Sequence, residues 1–98
     1  MADAWNTPQV NDLADAFLTL RTREEATAFL RDLCSLHELE TLSHRLAVAK
    51  LLDGGMPYAR VAAEVGASTA TVTRVAHWLR HGEGGYRLVL DRLARRRK

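Results

Sequence analysis

Hydroxyl, guanidinium and imidazole side chains are concentrated between Ser68 and His77. Ser68 is of a residue type that caps helix N-termini, so we predict a helix from there to about Arg80. Such a helix turns six side chains outward: Ser68, Thr69, Ala70, Thr73, Arg74 and His77. Hydroxyls and arginines can hydrogen-bond with base edges or phosphates, and small methyl groups can contact a thymine methyl. The sequence therefore predicts a DNA-contacting surface, to which we also assign Thr71, with plain solvent exposure as the alternative for each side chain.

The segment before this helix has the features that a helix-turn-helix requires. Two short helices that cross closely need a small residue at the crossing and a link with positive φ, which glycine adopts cheaply. Ala62 and Gly66 supply these two features. Four valines are expected to pack between the two helices: Val61, Val65, Val72 and Val75. Residues 58–77 thus predict a DNA-binding helix-turn-helix, with simple helix packing as the alternative.

Positive charge is concentrated in the same half of the chain. Residues 1–56 contain five Lys/Arg and nine Asp/Glu, whereas residues 57–98 contain nine Lys/Arg and three Asp/Glu. A polyanion is therefore expected to bind the second half. We predict phosphate contacts, which give affinity rather than sequence preference, for four basic elements: Arg60, Arg80, Arg87 and the terminal run 95–98. Disorder is the alternative for that terminal run.

The remaining segments predict helices and no strands. Three helix-starting signals precede apolar residues at helical spacing: Thr7-Pro8, Thr22 with Glu25, and Ser35 with Glu38. The third helix ends at Gly54-Gly55 and is apolar on more than one face over residues 46–52, so we expect it to be buried in a core or against a second chain. A last helix over residues 86–97 is expected to turn three side chains inward: Leu88, Val89 and Leu93.

These elements predict one all-α domain of six helices over residues 1–98. We assign residues 1–56 mainly to dimerisation, residues 57–80 to the helix-turn-helix, and residues 86–98 to a C-terminal helix and basic tail. A chain of 98 residues buries a modest core, so a homodimer is expected.

Other classes of protein are disfavoured by what the sequence lacks. No signal for secretion and no apolar run of membrane-spanning length is present, and the single cysteine, Cys34, fits a reducing compartment, so we predict a cytoplasmic protein without membrane contact. We expect no enzymatic activity and no cofactor, because no nucleophile with a base, paired carboxylates or phosphate-binding loop is evident. His77 and His81 have a spacing that can chelate zinc, but no third ligand is nearby, so we predict no metal site.

The stretch MPYARVAAEVGASTATVTRVAHWL, residues 56–79, resembles the DNA-binding segment of the Trp repressor superfamily. The runs GASTATVTR and GEGGY are most similar to its YerC/YecD branch. The resemblance implies a six-helix, intertwined homodimer in which two helix-turn-helix units face successive major grooves.

The resemblance also implies a ligand pocket, in which this chain departs from the tryptophan-sensing repressor. Arg74 matches an arginine that stacks on the ligand, and the other pocket arginine aligns with His44. A glycine becomes Val75 and a serine becomes Trp78, so bulk occupies the ligand space. We therefore expect that free tryptophan is not a corepressor, and that any small-molecule effector binds a remodelled pocket of His44, Arg74 and Trp78.

Together these observations predict a sequence-specific transcriptional regulator, in the form of a repressor, whose partners are double-stranded DNA and a second copy of the chain. An amino-acid-like effector other than tryptophan is one extension of this prediction, and binding without an effector is the other. The alternative function is a protein-interaction module that uses the same helices without specific DNA binding.

Overall fold

The computed structural model describes residues 4–96, and its helices match the six that the sequence predicts. The helices are α1 (Pro8–Leu18), α2 (Arg23–Leu33), α3 (Leu36–Asp53), α4 (Tyr58–Val65), α5 (Thr69–His81) and α6 (Gly85–Arg96). No strand occurs in this part of the chain. Two residues of the predicted basic tail, Arg97 and Lys98, lie outside the described residues.

The predicted capping residues start the first three helices. The hydroxyl of Thr7 accepts a hydrogen bond from the N–H of Val10 at 3.2 Å. Ser35 and Glu38 form a reciprocal capping box, in which each backbone N–H donates to the other side chain, at 2.8 and 3.1 Å. The N–H of Ser35 thereby lowers the pKa of Glu38. Local sequence chemistry therefore sets where these helices begin.

The chain divides into two compact units, Met1–Leu39 and Glu40–Lys98. In the first unit, neither α1 nor α2 contains a buried residue. The rings of Phe17 and Phe29 meet edge to face with their centres 5.3 Å apart, yet Phe17 remains 38% exposed. Further apolar side chains of this unit are exposed: Trp5, Val10, Leu13, Leu18, Leu33 and Leu36. The first unit thus presents apolar surface that its own helices do not cover.

The second unit has a buried core that α3, α4, α5 and α6 build together. Its buried members are Val48, Ala49, Val61, Val72, Val75 and Leu90. Val48 and Ala49 are completely buried, and Leu46, Leu51 and Leu52 pack against the cluster. The predicted burial of the last part of α3 is confirmed.

The inward face of α6 differs from the prediction. Leu88 and Val89, which we expected to face inward, are 49% and 45% exposed, whereas Leu90 is 7% exposed. Tyr86, Leu90 and Leu93 follow at four- and three-residue spacing, which places them on one face, and Leu88 lies on the opposite side of the helix. The spacing of apolar residues in α6 is compatible with two apolar stripes on the helix. Packing against the core decides which of the two is buried.

Candidate functional site

A glycine turn joins α4 to α5. Gly66 has φ 77° and ψ 32°, the left-handed conformation that the sequence predicts. The backbone N–H groups of Gly66 and Ala67 both donate to the carbonyl of Ala62, at 2.9 and 3.1 Å. The hydroxyl of Ser68 then accepts from the N–H of Thr71 at 3.1 Å and caps α5. The three residues between the helices therefore give a bonding partner to the Ala62 carbonyl at the end of α4 and to the Thr71 N–H at the start of α5.

Valine side chains hold the two helices together. Val61 of α4 and Val72 of α5 are fully buried, Val75 is 4% exposed, and Val65 packs against the same cluster. All four valines predicted for this interface lie in or against the core. Ala62, the small residue expected at the crossing, is partly buried. One face of α5 is consequently fixed to the core, and its other face is left to solvent.

The predicted contact residues share that solvent face. Six side chains are exposed: Ser68, Thr69, Ala70, Thr73, Arg74 and His77. Thr71 differs from them because it is half-buried and its hydroxyl accepts a hydrogen bond from Ser68 at 3.0 Å. The structure therefore brings six of the seven candidates onto one accessible surface, which we call the α5 surface, with Thr71 beneath its N-terminal end.

The basic residues predicted for phosphate contacts fall into two groups. Arg60 and Arg80 are exposed, and Arg80 lies over the ring of Tyr58, its guanidinium carbon 5.8 Å from the ring centre. Arg87, by contrast, pairs with two carboxylates, those of Asp53 at 2.6 Å and Asp91 at 2.8 Å. The hydrogen bonds to Asp53 and Asp91 raise the pKa of Arg87. Arg87 is thus engaged within the protein, unlike Arg60 and Arg80.

His77 and His81 stand on consecutive turns of α5, with ring centres 5.3 Å apart. The rings of His77 and Trp78 also meet edge to face, with their centres 5.6 Å apart. Among residues 4–96, no group of three or more His, Cys, Asp and Glu side chains could hold a metal ion. The pair therefore has no third side-chain ligand in the part of the chain that is described.

A cavity of about 380 Å³ lies beside the α5 surface, within the second unit. Its lining comes from α3, α5 and α6: Thr41, Arg45, Thr71, Arg74, Val75, Trp78 and Tyr86. Arg74 and Trp78 are two of the three residues predicted for an effector pocket. The third predicted residue, His44, does not line the cavity, and the adjacent Arg45 takes its place. Val75 and Trp78, which we expected to fill the ligand space, lie in the wall of the cavity and leave it open.

Two guanidinium groups, those of Arg45 and Arg74, line this cavity and give it positive charge. Burial raises the pKa of Tyr86, and the nearby positive charge of Arg45 opposes this shift. None of the lining residues is acidic. The cavity therefore suits a small molecule that bears a carboxylate or another anionic group.

Sequence reasoning missed Arg45, Thr41 and Tyr86 as cavity residues and Tyr58 as the neighbour of Arg80. One signal was available, because Thr41 and Arg45 are four residues apart and so share a face of α3. Tyr86 is brought to the cavity by tertiary packing, which no local pattern specifies.

The family profile described as Trp repressor protein matches residues 8–94. The chain belongs to the Trp repressor family. The match covers α1 to α5 completely and α6 as far as residue 94, so it includes the α4/α5 pair and the cavity beside it.

The chain is also similar to individual proteins over most of its length. The uncharacterized protein YerC of Bacillus subtilis is 39% identical over 85 residues, which are 87% of this chain and 82% of YerC. A Staphylococcus aureus protein presumed to be a Trp repressor has a crystal structure with TM-score 0.85 and 43% identity, covering 92% of this chain and 90% of that one. The crystal structure of a Trp-repressor-like protein from Eubacterium eligens has TM-score 0.84 and 40% identity, covering 91% of this chain and 92% of that one.

Within the described residues, every helix is too short or too polar to cross a lipid bilayer.

Proposed function

We propose that this member of the Trp repressor family is a sequence-specific DNA-binding transcriptional regulator, in the form of a repressor. The observation that carries the proposal is the α5 surface, a compact set of hydroxyl, methyl and arginine groups on a helix that the Gly66 turn and the valine core fix in place. Residues 58–81 would act as a helix-turn-helix, with α5 as the helix that enters the major groove.

The roles of the side chains follow from their chemistry. Arg74 can donate two hydrogen bonds to the acceptors of a guanine, and Thr69 and Thr73 can bond to bases or phosphates. The methyl groups of Ala70 and Thr73 can contact thymine. Arg60 and Arg80 lie outside the base-contacting set and would bind backbone phosphates, which sets affinity and register. Small side chains at the N-terminal end of α5 allow a close approach to the DNA.

We propose that the active form is an intertwined homodimer. The exposed apolar side chains of α1, α2 and the start of α3 support this, because a second copy with the same surface would remove them from water. A dimer would place two α5 helices on successive major grooves, about 34–36 Å apart.

The cavity beside α5 is our proposed site for an effector. Arg74 belongs both to the cavity and to the α5 surface, so a ligand there would act directly on a DNA-contacting side chain. Two guanidinium groups favour the carboxylate of an amino-acid-like molecule. The indole of Trp78 stands in the cavity wall, and this supports an effector other than tryptophan. We propose no enzymatic activity for this chain.

Protein docking by the same helices is the alternative, and salt dependence distinguishes the two functions. The experiment is the retardation of a random 30-base-pair duplex at increasing salt concentrations. DNA binding predicts an affinity that falls steeply with salt, because each phosphate contact releases counterions. Absence of binding at low salt would reject the proposed function and favour the docking module. Arg74→Ala is the companion variant, and it should weaken binding without changing the helix content.

A further inference from the structure

Tyr58 and Arg80 contact each other at the end of the α4/α5 pair opposite the Gly66 turn. Tyr58 is the first residue of α4, and Arg80 is in the last turn of α5. The 5.8 Å between the guanidinium carbon and the ring centre is within the range at which a cation is attracted to an aromatic face. Tyr58 is 38% exposed, so this contact is at the surface of the protein.

The partner of Arg80 is a ring and not a carboxylate, and this decides what the guanidinium can still bind. An aromatic ring has no net charge, so Arg80 keeps its full positive charge and its N–H donors. Arg87 shows the contrast, because Asp53 and Asp91 take its donors and offset its charge. Over residues 4–96, Arg80 forms no ion pair and no side-chain hydrogen bond. Arg80 is therefore oriented and still available to an anion.

The position of Arg80 on α5 indicates which anion. Thr73, His77 and Arg80 follow one another at four- and three-residue spacing, so the three side chains share one face of the helix. Thr73 and His77 belong to the α5 surface, and Arg80 lies at its C-terminal end, beside the N-terminus of α4. A groove-bound α5 would bring a DNA strand past this end of the helix pair.

We propose that Tyr58 and Arg80 form a phosphate-binding pair, in which Tyr58 positions the Arg80 guanidinium for a backbone phosphate of bound DNA. This inference rests on the proposed DNA-binding function and adds Tyr58 to it as a positioning residue. Pre-orientation matters because a long arginine side chain otherwise loses rotamer freedom when it binds.

A double-mutant cycle tests the pair, with DNA affinity measured by fluorescence anisotropy on one labelled duplex at several salt concentrations. Arg80→Gln should weaken binding and reduce the slope of log affinity against log salt by about 0.9, the value for one lost phosphate contact. Tyr58→Leu, which changes no charge, should weaken binding about two- to fivefold, the range that an exposed cation–π contact supports. In the Arg80→Gln background, Tyr58→Leu should have no further effect. Tyr58→Phe keeps the aromatic ring, so this variant should bind DNA with wild-type affinity.

Two comparisons keep the outcome interpretable. Arg92→Gln removes an exposed arginine of α6 that is outside the α4/α5 pair, and it should change affinity less than Arg80→Gln. Circular dichroism on each variant monitors the fold. Equal effects of Tyr58→Leu with and without Arg80, or an unchanged salt slope for Arg80→Gln, would overturn the inference while the proposed function stands. Failure of the wild-type protein to bind any duplex would instead reject the proposed function.

Discussion

Asp53 at the end of α3 accepts two hydrogen bonds from Arg87 of α6, from Nη1 at 2.6 Å and from Nη2 at 2.9 Å. The two residues are 34 positions apart, so this ion pair links distant segments of the chain. Arg87 also donates from Nε to Asp91 at 3.0 Å, one helical turn further along α6. These bonds connect α6 to α3, two of the helices that line the cavity.

Removal of this ion pair should lower stability modestly, because both side chains remain partly exposed. We expect Asp53→Asn to lower Tm by about 2–4 °C, as for a surface ion pair with favourable two-pronged geometry. Glu64→Gln, which removes an exposed carboxylate from α4, is the control and should leave Tm unchanged. Scanning calorimetry checks both variants, and equal Tm values for them would contradict the role of the pair.

The same ion pair predicts a pH dependence. The hydrogen bonds from Arg87 hold the pKa of Asp53 below its ordinary value. The stabilisation is therefore fully present above the ordinary aspartate pKa of about 4, and it is lost as the pH falls from there through the lowered pKa of Asp53 in the folded protein. The Tm difference between wild type and Asp53→Asn should accordingly shrink between pH 6 and pH 3. A difference that stays constant over this range would show that the charge of Asp53 is not responsible.

Gly66→Ala should destabilise the protein through its backbone conformation alone. No atom lies within 4 Å of the position that a Cβ would take at Gly66, but φ is +77°. The expected loss is about 1–2 kcal/mol in the free energy of unfolding, the cost of a left-handed conformation for an L-residue. Gly85→Ala is the matched control, because Gly85 also has open space around it and its φ is not positive. Urea denaturation that gave the two variants the same stability would contradict the turn geometry.

Replacement of exposed apolar side chains by glutamate should dissociate the proposed dimer. Leu18 and Leu36 are 83% and 68% exposed, and apolar groups gain by leaving water. Sedimentation equilibrium should give twice the 10.9 kDa chain mass for the wild type and a lower average mass for Leu18→Glu and Leu36→Glu. Gln9→Glu, at an exposed polar position of α1, should remain a dimer. A wild-type protein that stays monomeric at high concentration would exclude the dimer.

Free tryptophan should not bind with high affinity, because the side chain of Trp78 stands in the wall of the cavity. Isothermal titration calorimetry with tryptophan should show no stoichiometric heat for the wild type. Trp78→Ser, which clears that wall, should bind tryptophan more tightly than the wild type does. Tight binding by the wild-type protein would contradict this expectation and identify tryptophan as an effector.

The parts of the fold that depend on local chemistry were predictable from the sequence. Ser35 with Glu38 marks the start of α3, and Gly66 marks the turn before α5, because caps and positive φ angles are satisfied within a few residues. The exposed α5 surface follows from the same local signals together with helical periodicity.

The parts that depend on long-range packing were not predictable. Periodicity left two apolar stripes on α6, and only the core of the second unit decides that Leu90 rather than Leu88 is buried. The contact of Arg80 with Tyr58 joins opposite ends of two consecutive helices and depends on how α4 and α5 cross. The choice of Arg45 over His44 for the cavity likewise depends on the rotation of α3 about its axis. The spacing of residues in the sequence does not determine any of these contacts.

Dimethyl sulfate footprinting on a genomic fragment selected by the protein tests the central claim most directly, since the reagent methylates guanine N7 in the major groove. We predict two protected guanine clusters about one helical turn apart, one for each α5 of a dimer. The Arg74→Ala variant should leave these guanines unprotected at a protein concentration at which the Arg92→Gln variant still protects them. A selected fragment with no guanine protection, or with protection that Arg74→Ala leaves intact, would contradict DNA recognition by the α5 surface.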